Sequence, residues 1–269
     1  MKRLFILIGI LLYLSPACAA SEPTRPVRSQ PPNPRRTAKP ARTEMPDAQM
    51  LRFPDVSAER IVFVYAGDLW TVSRDGGPAR KISSPKGQEL FPKFSPDGQT
   101  IAFSGNYDGN IDVYVMSVEG GVPKRLTHHS STDLVVEWYP DGKHILYRSR
   151  MFSPSNRFNR FFKQPVDGGM PDTLALAYGE LASFSPDGNR MAFQFISREF
   201  QNWKRYRGGM ASHLWLYDFT NNTSEKFTDF KGTDALPMWH NKTIYFLSDR
   251  DERKKLNIWA YELGTKKTR

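Results

Sequence analysis

Short apolar runs recur along the chain, and each is followed by a stretch in which apolar and polar residues alternate. The runs are Ile61–Val64, Ile101–Phe103, Ile145–Tyr147, Met191–Phe195 and Ile244–Leu247. The alternating stretches are Asp68–Ser73, Ile111–Val118, Phe161–Val166, His213–Phe219 and Asn257–Leu263. Alternation with period two over so few residues predicts half-buried β-strands. A Gly-containing turn comes next, such as Asp75-Gly-Gly77, Glu119-Gly-Gly121 or Asp167-Gly-Gly169. A short edge strand then closes the unit, at Arg80–Ile82, Lys124–Leu126, Asp172–Leu174 and Glu225–Phe227.

The units are bound together by a repeated turn. Phe94-Ser-Pro-Asp-Gly98 returns as Trp138-Tyr-Pro-Asp-Gly142 and Phe184-Ser-Pro-Asp-Gly188, with a degenerate Trp239-His-Asn-Lys242 after them and Phe53-Pro-Asp-Val-Ser57 before. Pro sets φ at the first corner, Asp accepts local backbone hydrogen bonds, and Gly takes the left-handed position. The aromatic before each turn is the anchor expected to pack between neighbouring sheets. Four antiparallel strands every ~40–50 residues is the period of a propeller blade. The fold class is therefore all-β: a β-propeller of four-stranded antiparallel blades over residues 44–269. The blades are expected near 44–87, 88–130, 131–177, 178–231 and 232–269. The last is expected to lack most of its outer strand, giving about 4.7 blades and an incomplete ring.

The first 43 residues read differently. Lys2 and Arg3 precede the apolar run Leu4–Leu14, and Ala17-Cys18-Ala19 offers a small-residue cleavage site. Residues 1–19 are expected to be a secretory signal, too short to span a bilayer and leaving no stable membrane span after cleavage. Export to the periplasm follows. A lipid anchor on Cys18, the sole cysteine, is the lesser reading, because Ser15-Pro16-Ala17 is a poor lead-in. Residues 20–43 carry six prolines and few large apolar side chains, as expected of an extended linker. The formal net charge of +10 sits mainly at this end: +5 in residues 21–43 and +2 in Lys2 and Arg3. The body retains only +3, which argues against a nucleic-acid partner.

Trp203-Lys-Arg-Tyr-Arg-Gly-Gly209 followed by Leu214-Trp-Leu-Tyr-Asp218 resembles the fourth blade of the N-terminal six-bladed propeller of tricorn-type serine proteases. Ser155-Asn-Arg-Phe-Asn-Arg160 with Pro165-Val-Asp-Gly-Gly169 resembles its third blade, and Gly67-Asp-Leu-Trp70 also fits. The resemblance covers residues 44–269. It implies a propeller that guides peptides toward a second propeller, a PDZ-like domain and a serine-peptidase domain encoded further downstream. It also offers the cytoplasm as the alternative compartment. The Ser-Pro-Asp-Gly repeat itself is shared with periplasmic translocation-component propellers and prolyl-oligopeptidase propellers. An envelope interaction scaffold and a propeller lid therefore stay open as alternatives.

The residues point to binding and not to catalysis. No Gly-x-Ser-x-Gly is present, and the five histidines (128, 129, 144, 213, 240) are spread over four units. Asp108-Gly-Asn-Ile-Asp112 opens like a calcium loop without its closing Glu, and His128-His129 lacks a third zinc ligand. No catalytic residue, metal or cofactor is assigned. Long basic, aromatic insertions separate the second and third strands of blades 3 and 4. They span Arg148–Arg160 and Ser197–Ser212 and include Arg157, Arg160, Trp203, Lys204, Arg205, Tyr206 and Arg207. Adjacent loops emerge on one face, where an Arg fork suits a peptide carboxylate; a contact with another domain or subunit, including a homo-oligomer, is the blander reading. An acidic residue also precedes each anchor aromatic: Glu89, Asp133, Glu180 and Asp234. They are expected at the channel mouth, either selecting basic peptide ends or, more simply, accepting backbone hydrogen bonds from the next blade.

Overall fold

The computed structural model describes residues 50–83, 86–155, 157–197 and 206–269. The expected leader and linker, residues 1–43, lie outside them.

Every described element is a strand. Blade 1 comprises β1 (Arg52–Val56), β2 (Arg60–Tyr65), β3 (Asp68–Ser73) and β4 (Arg80–Lys81). Blade 2 comprises β5 (Gln88–Phe94), β6 (Thr100–Asn106), β7 (Ile111–Ser117) and β8 (Lys124–Arg125). Blade 3 comprises β9 (Asp133–Trp138), β10 (His144–Ser149), β11 (Arg160–Pro165) and β12 (Asp172–Thr173). Blade 4 comprises β13 (Leu181–Phe184), β14 (Arg190–Gln194), β15 (Leu214–Asp218) and β16 (Thr223–Lys226). Blade 5 comprises β17 (Asp234–His240), β18 (Thr243–Ser248), β19 (Asn257–Glu262) and β20 (Lys267–Thr268). Each blade is a four-stranded antiparallel meander in chain order. Inner strands pack successively, β1 on β5, β5 on β9, β9 on β13 and β13 on β17, which makes the assembly a propeller.

Blade 5 is complete in strand number, which corrects the expectation of about 4.7 blades. Lys267–Thr268 pairs with Glu262 and Tyr261. The outer strands of blades 1 to 3 are equally short, two residues each, so two residues after the Gly264-Thr265 turn suffice.

The turns form as their chemistry predicts. In blade 2, Gly98 stands at φ 70° and its N–H donates to Ser95 O at 2.8 Å. The Gln99 N–H donates to Asp97 Oδ1 at 3.0 Å. In blade 5 Asn241, at φ 52°, takes the left-handed place of the glycine.

The anchor aromatics bury between sheets. Phe94 lies in the cluster shared by blades 1 and 2, Trp138 between blades 2 and 3, and Phe184 between blades 3 and 4. Trp239 is only half-buried on the smaller cluster between blades 4 and 5. Side chains also staple backbone across the seams. Phe94 N–H donates to Asp55 Oδ2 at 2.8 Å, Val135 N–H to Ser104 Oγ at 2.8 Å, and Trp239 N–H to Ser183 Oγ at 3.0 Å.

Three inner strands carry a bulge whose pivot precedes proline. Phe53-Pro54, Phe91-Pro92 and Leu236-Pro237 place a bulky residue at φ 50°, 51° and 54°, beside the register shifts of β1, β5 and β17. Bulky side chains disfavour that region, so surrounding packing holds it. The Phe53 and Phe91 rings meet across blades 1 and 2 with centroids 4.3 Å apart.

Gly179 gives one test of the packing. A Cβ there would stand 2.1 Å from the Phe161 ring, which is fully buried. Gly179→Ala should cost ~1–3 kcal/mol through overpacking. Denaturant midpoints check this, and an unchanged midpoint would show that the ring can yield.

Candidate functional site

One end of the propeller gathers the groups of interest. The inner strands begin there, the second strands end there, and the long connections of blades 3 and 4 leave from it. Glu89 lies opposite Gly105, Asp133 opposite Ser149, and Asp234 opposite Ser248, while Glu180 N–H donates to Gln194 O at 2.9 Å.

All four carboxylates are buried. Their donors are mainly side chains, not the backbone of the next blade. Ser83 Oγ donates to Glu89 Oε2 at 3.0 Å, and Tyr107 OH to Oε1 at 2.9 Å. Burial is the main cause that pushes Glu89 above the usual carboxylate range, against the pull of these two hydroxyls. Glu180 is held by Arg148 of blade 3, and Asn159 Nδ2 donates to both its oxygens at 3.0 Å. Arg250 Nη2 reaches both oxygens of Asp234, at 2.8 and 2.9 Å. The Arg250 guanidinium also lies 5.2 Å from the Phe230 ring, 5.1 Å from Phe246 and 5.4 Å from Trp259. Asp133 closes no hydrogen bond among the described residues.

The insertions divide. Arg148, expected in the blade 3 insertion, instead lies within β10, next to its last residue, and is buried against Glu180. Past it, Ser153 Oγ donates to Ser155 O at 2.8 Å and to Phe158 O at 2.9 Å, which folds the loop on itself. Arg157 is exposed, and its guanidinium enters no ion pair among the described residues. Arg160 is half-buried, with Nη1 donating to Phe152 O at 3.4 Å. Phe152 is itself 69% exposed beside the His129 ring. Tyr206 is half-buried; Arg207 crosses to blade 5, donating to Asp249 Oδ2 at 2.7 Å with its guanidinium 5.5 Å from Phe230. Trp203, Lys204 and Arg205 lie outside the described residues.

Further along the axis an unforeseen charged group spans three blades. Lys93 Nζ stands 3.3 Å from Asp55 Oδ1 and 3.5 Å from Glu137 Oε2. Burial alone pulls the ammonium down, but Glu137 and Asp55 outweigh it and hold Lys93 above ordinary lysine. All three occupy inner strands beside an anchor or turn, a signal legible only once the strands are aligned.

The two aspartates of the Asp108–Asp112 segment engage in local contacts. Asp112 accepts from Arg125 Nη2 at 2.7 Å and Asn110 Nδ2 at 3.1 Å, and Asp108 lies 3.5 Å from the same Arg125. Among the described residues no three His, Cys, Asp or Glu side chains are grouped to hold a metal ion. No described helix is long and apolar enough to cross a membrane.

Five four-stranded antiparallel blades packed through their inner strands define a β-propeller. Residues 48–269 match the family model of the tricorn protease N-terminal β-propeller domain, and the chain belongs to that family. The Tricorn protease homolog 1 of Streptomyces coelicolor is 34% identical over 203 residues, covering 75% of this chain and 19% of that protein. The tricorn protease of Thermoplasma acidophilum is 31% identical over 214 residues, again 75% and 19%. The chain thus spans about a fifth of the length of these relatives. The crystal structure of the tricorn protease superposes with a TM-score of 0.70 at 27% identity, over 81% of this chain and 22% of that one. A TolB from Agrobacterium tumefaciens shares the fold alone, with a TM-score of 0.65 at 18% identity over 82% of this chain and 79% of that one.

Proposed function

We propose that this propeller is a non-catalytic substrate-access domain of a tricorn-like serine peptidase, binding peptides for degradation. The observation that supports it most is Arg157, exposed and in no ion pair among the described residues, on the blade 3 connection at the end where all inner strands begin. Arg207 adds a second exposed guanidinium in the adjacent blade, with Asp249 occupying part of its fork. Charge-assisted pairs of this kind suit a peptide C-terminal carboxylate.

The test uses the full-length protein carrying Arg157→Ala, Arg205→Ala and Arg207→Ala together. KM for peptides with a free C-terminus should rise about tenfold, one lost interaction of ~1.4 kcal/mol, while amidated peptides change little. Unchanged KM and kcat for both sets reject the reading. We propose that residues 1–19 direct export to the periplasm, and fractionation checks it.

A second reading, an interaction scaffold of the envelope, draws on a 51-residue match at 39% identity to a TolB homolog of Chlorobium luteolum. Co-purification of envelope proteins with the full-length chain, together with unaltered peptide kinetics in the triple variant, would favour it.

A further inference from the structure

The four buried carboxylates occupy equivalent places, and comparison among them isolates one. In blades 2, 3 and 5 the acid faces a small residue of the second strand: Gly105, Ser149 and Ser248. Two residues beyond that partner, blade 2 supplies Tyr107 and blade 5 supplies Arg250, and both donate to the acid. Blade 3 has Met151 there, buried and with nothing to donate from its side chain. Blade 4 differs in register but takes Arg148 and Asn159 from blade 3. Asp133 alone lacks a donor at this place and has only the Ser149 and Thr127 hydroxyls beside it.

Its surroundings are rich in oxygen. Ser149 Oγ accepts from Met151 N–H at 3.1 Å. Thr127 Oγ1 accepts from Val113 N–H at 3.0 Å and directs its proton at Asp112 Oδ1, 3.5 Å away. Both hydroxyls interact with the Asp133 carboxyl and ease its charge, but neither is aligned for a full hydrogen bond to it. Asp112 on β7 and His129 on the connection from blade 2 are the charged or titratable neighbours, and Asp112 is itself held by Arg125 of β8.

We propose that Asp133 is a proton-operated latch on the seam between blades 2 and 3. Protonated, it donates to an oxygen of the Thr127–Ser149–Asp112 cluster and the seam is tight. Ionised, it is a buried anion beside a second carboxylate and the seam loosens. The electrostatics agree: burial first, with Asp112 reinforcing it against the two hydroxyls, raises the carboxyl to about 6. The folded value lies above the unfolded one near 3.9. The stabilising contribution is therefore complete below the unfolded value and is lost as pH climbs through about 6. Met151 opens the connection that carries Arg157, and Ser149 Oγ holds its N–H, so the latch sets the root of that loop.

Thermal unfolding of the full chain, followed from about pH 5 to about pH 7.5, tests this. The Tm should fall by several degrees across that range, the scale expected for a shift of this size in ~220 folded residues. Asp133→Asn should remove most of the fall, with the high-pH Tm rising toward the low-pH one. Met151→Arg, which gives blade 3 the guanidinium that blade 5 uses, should raise the Tm at about pH 7.5 and flatten the profile. If Met151→Arg does not fold, the Asp133→Asn comparison decides. A flat natural profile, or a fall that Asp133→Asn leaves in place, overturns the proposal. So does stabilisation by sodium or calcium ions that Asp133→Asn abolishes in the absence of any pH dependence, since the charge is then met by a metal cation.

Discussion

Replacing Trp138 with alanine will destabilise the propeller by ~3–5 kcal/mol, the range for deleting a large buried aromatic. Trp138 is 4% exposed and fills the space between blades 2 and 3, against Val113, Val115, Ile145 and Phe162 among others. Its indole N–H also donates to Lys93 O of the neighbouring blade at 2.9 Å, so truncation removes packing and leaves a carbonyl without that donor. Trp239 is the control. It occupies the same place in blade 5, half-buried on a smaller cluster, and its indole N–H turns back to Asn241 O at 2.9 Å. Trp239→Ala should cost less than half as much. Denaturant unfolding of both variants measures the difference, and equal losses would show that the seams do not differ as their packing indicates.

Arg250→Ala is expected to cost a comparable ~3–5 kcal/mol, by a different route. Asp234 is fully buried, and Nη2 of that guanidinium donates to both its oxygens. Removing the cation strands the carboxylate and strips contacts from Phe230, Phe246 and Trp259. The pair itself need not add stability over an apolar equivalent, because desolvation offsets much of the attraction. The double variant Asp234→Asn with Arg250→Met should therefore recover most of the loss, and calorimetry of the three proteins decides. A double variant as unstable as Arg250→Ala would show that the loss comes from ring contacts, not from the stranded charge.

Much of this architecture was legible before any coordinates. The Pro-Asp-Gly turns, the anchor aromatics and the meander order rest on local chemistry, which is written in consecutive residues. The acid before each anchor was equally visible. Its partner was not, because Tyr107 and Arg250 are recognised only two residues past a register pair between strands. Arg148 misled for the same reason: beside a basic insertion it reads as loop, whereas its place within β10, next to its last residue, aims it at Glu180. The final strand was missed because a two-residue edge has no periodicity to detect. Phe53-Pro54, Phe91-Pro92 and Leu236-Pro237 gave no warning of their backbone, since a residue before proline normally prefers an extended conformation.

Those three proline bulges bear on what can happen along the axis. An inner strand presents its free edge to the centre, and a regular edge invites any extended chain to zip onto it by backbone hydrogen bonds. Each proline deletes a donor, and each bulge breaks the spacing of the groups that remain. An extended chain laid along β1, β5 or β17 would therefore meet interrupted rows of partners, whereas β9 and β13 carry no proline.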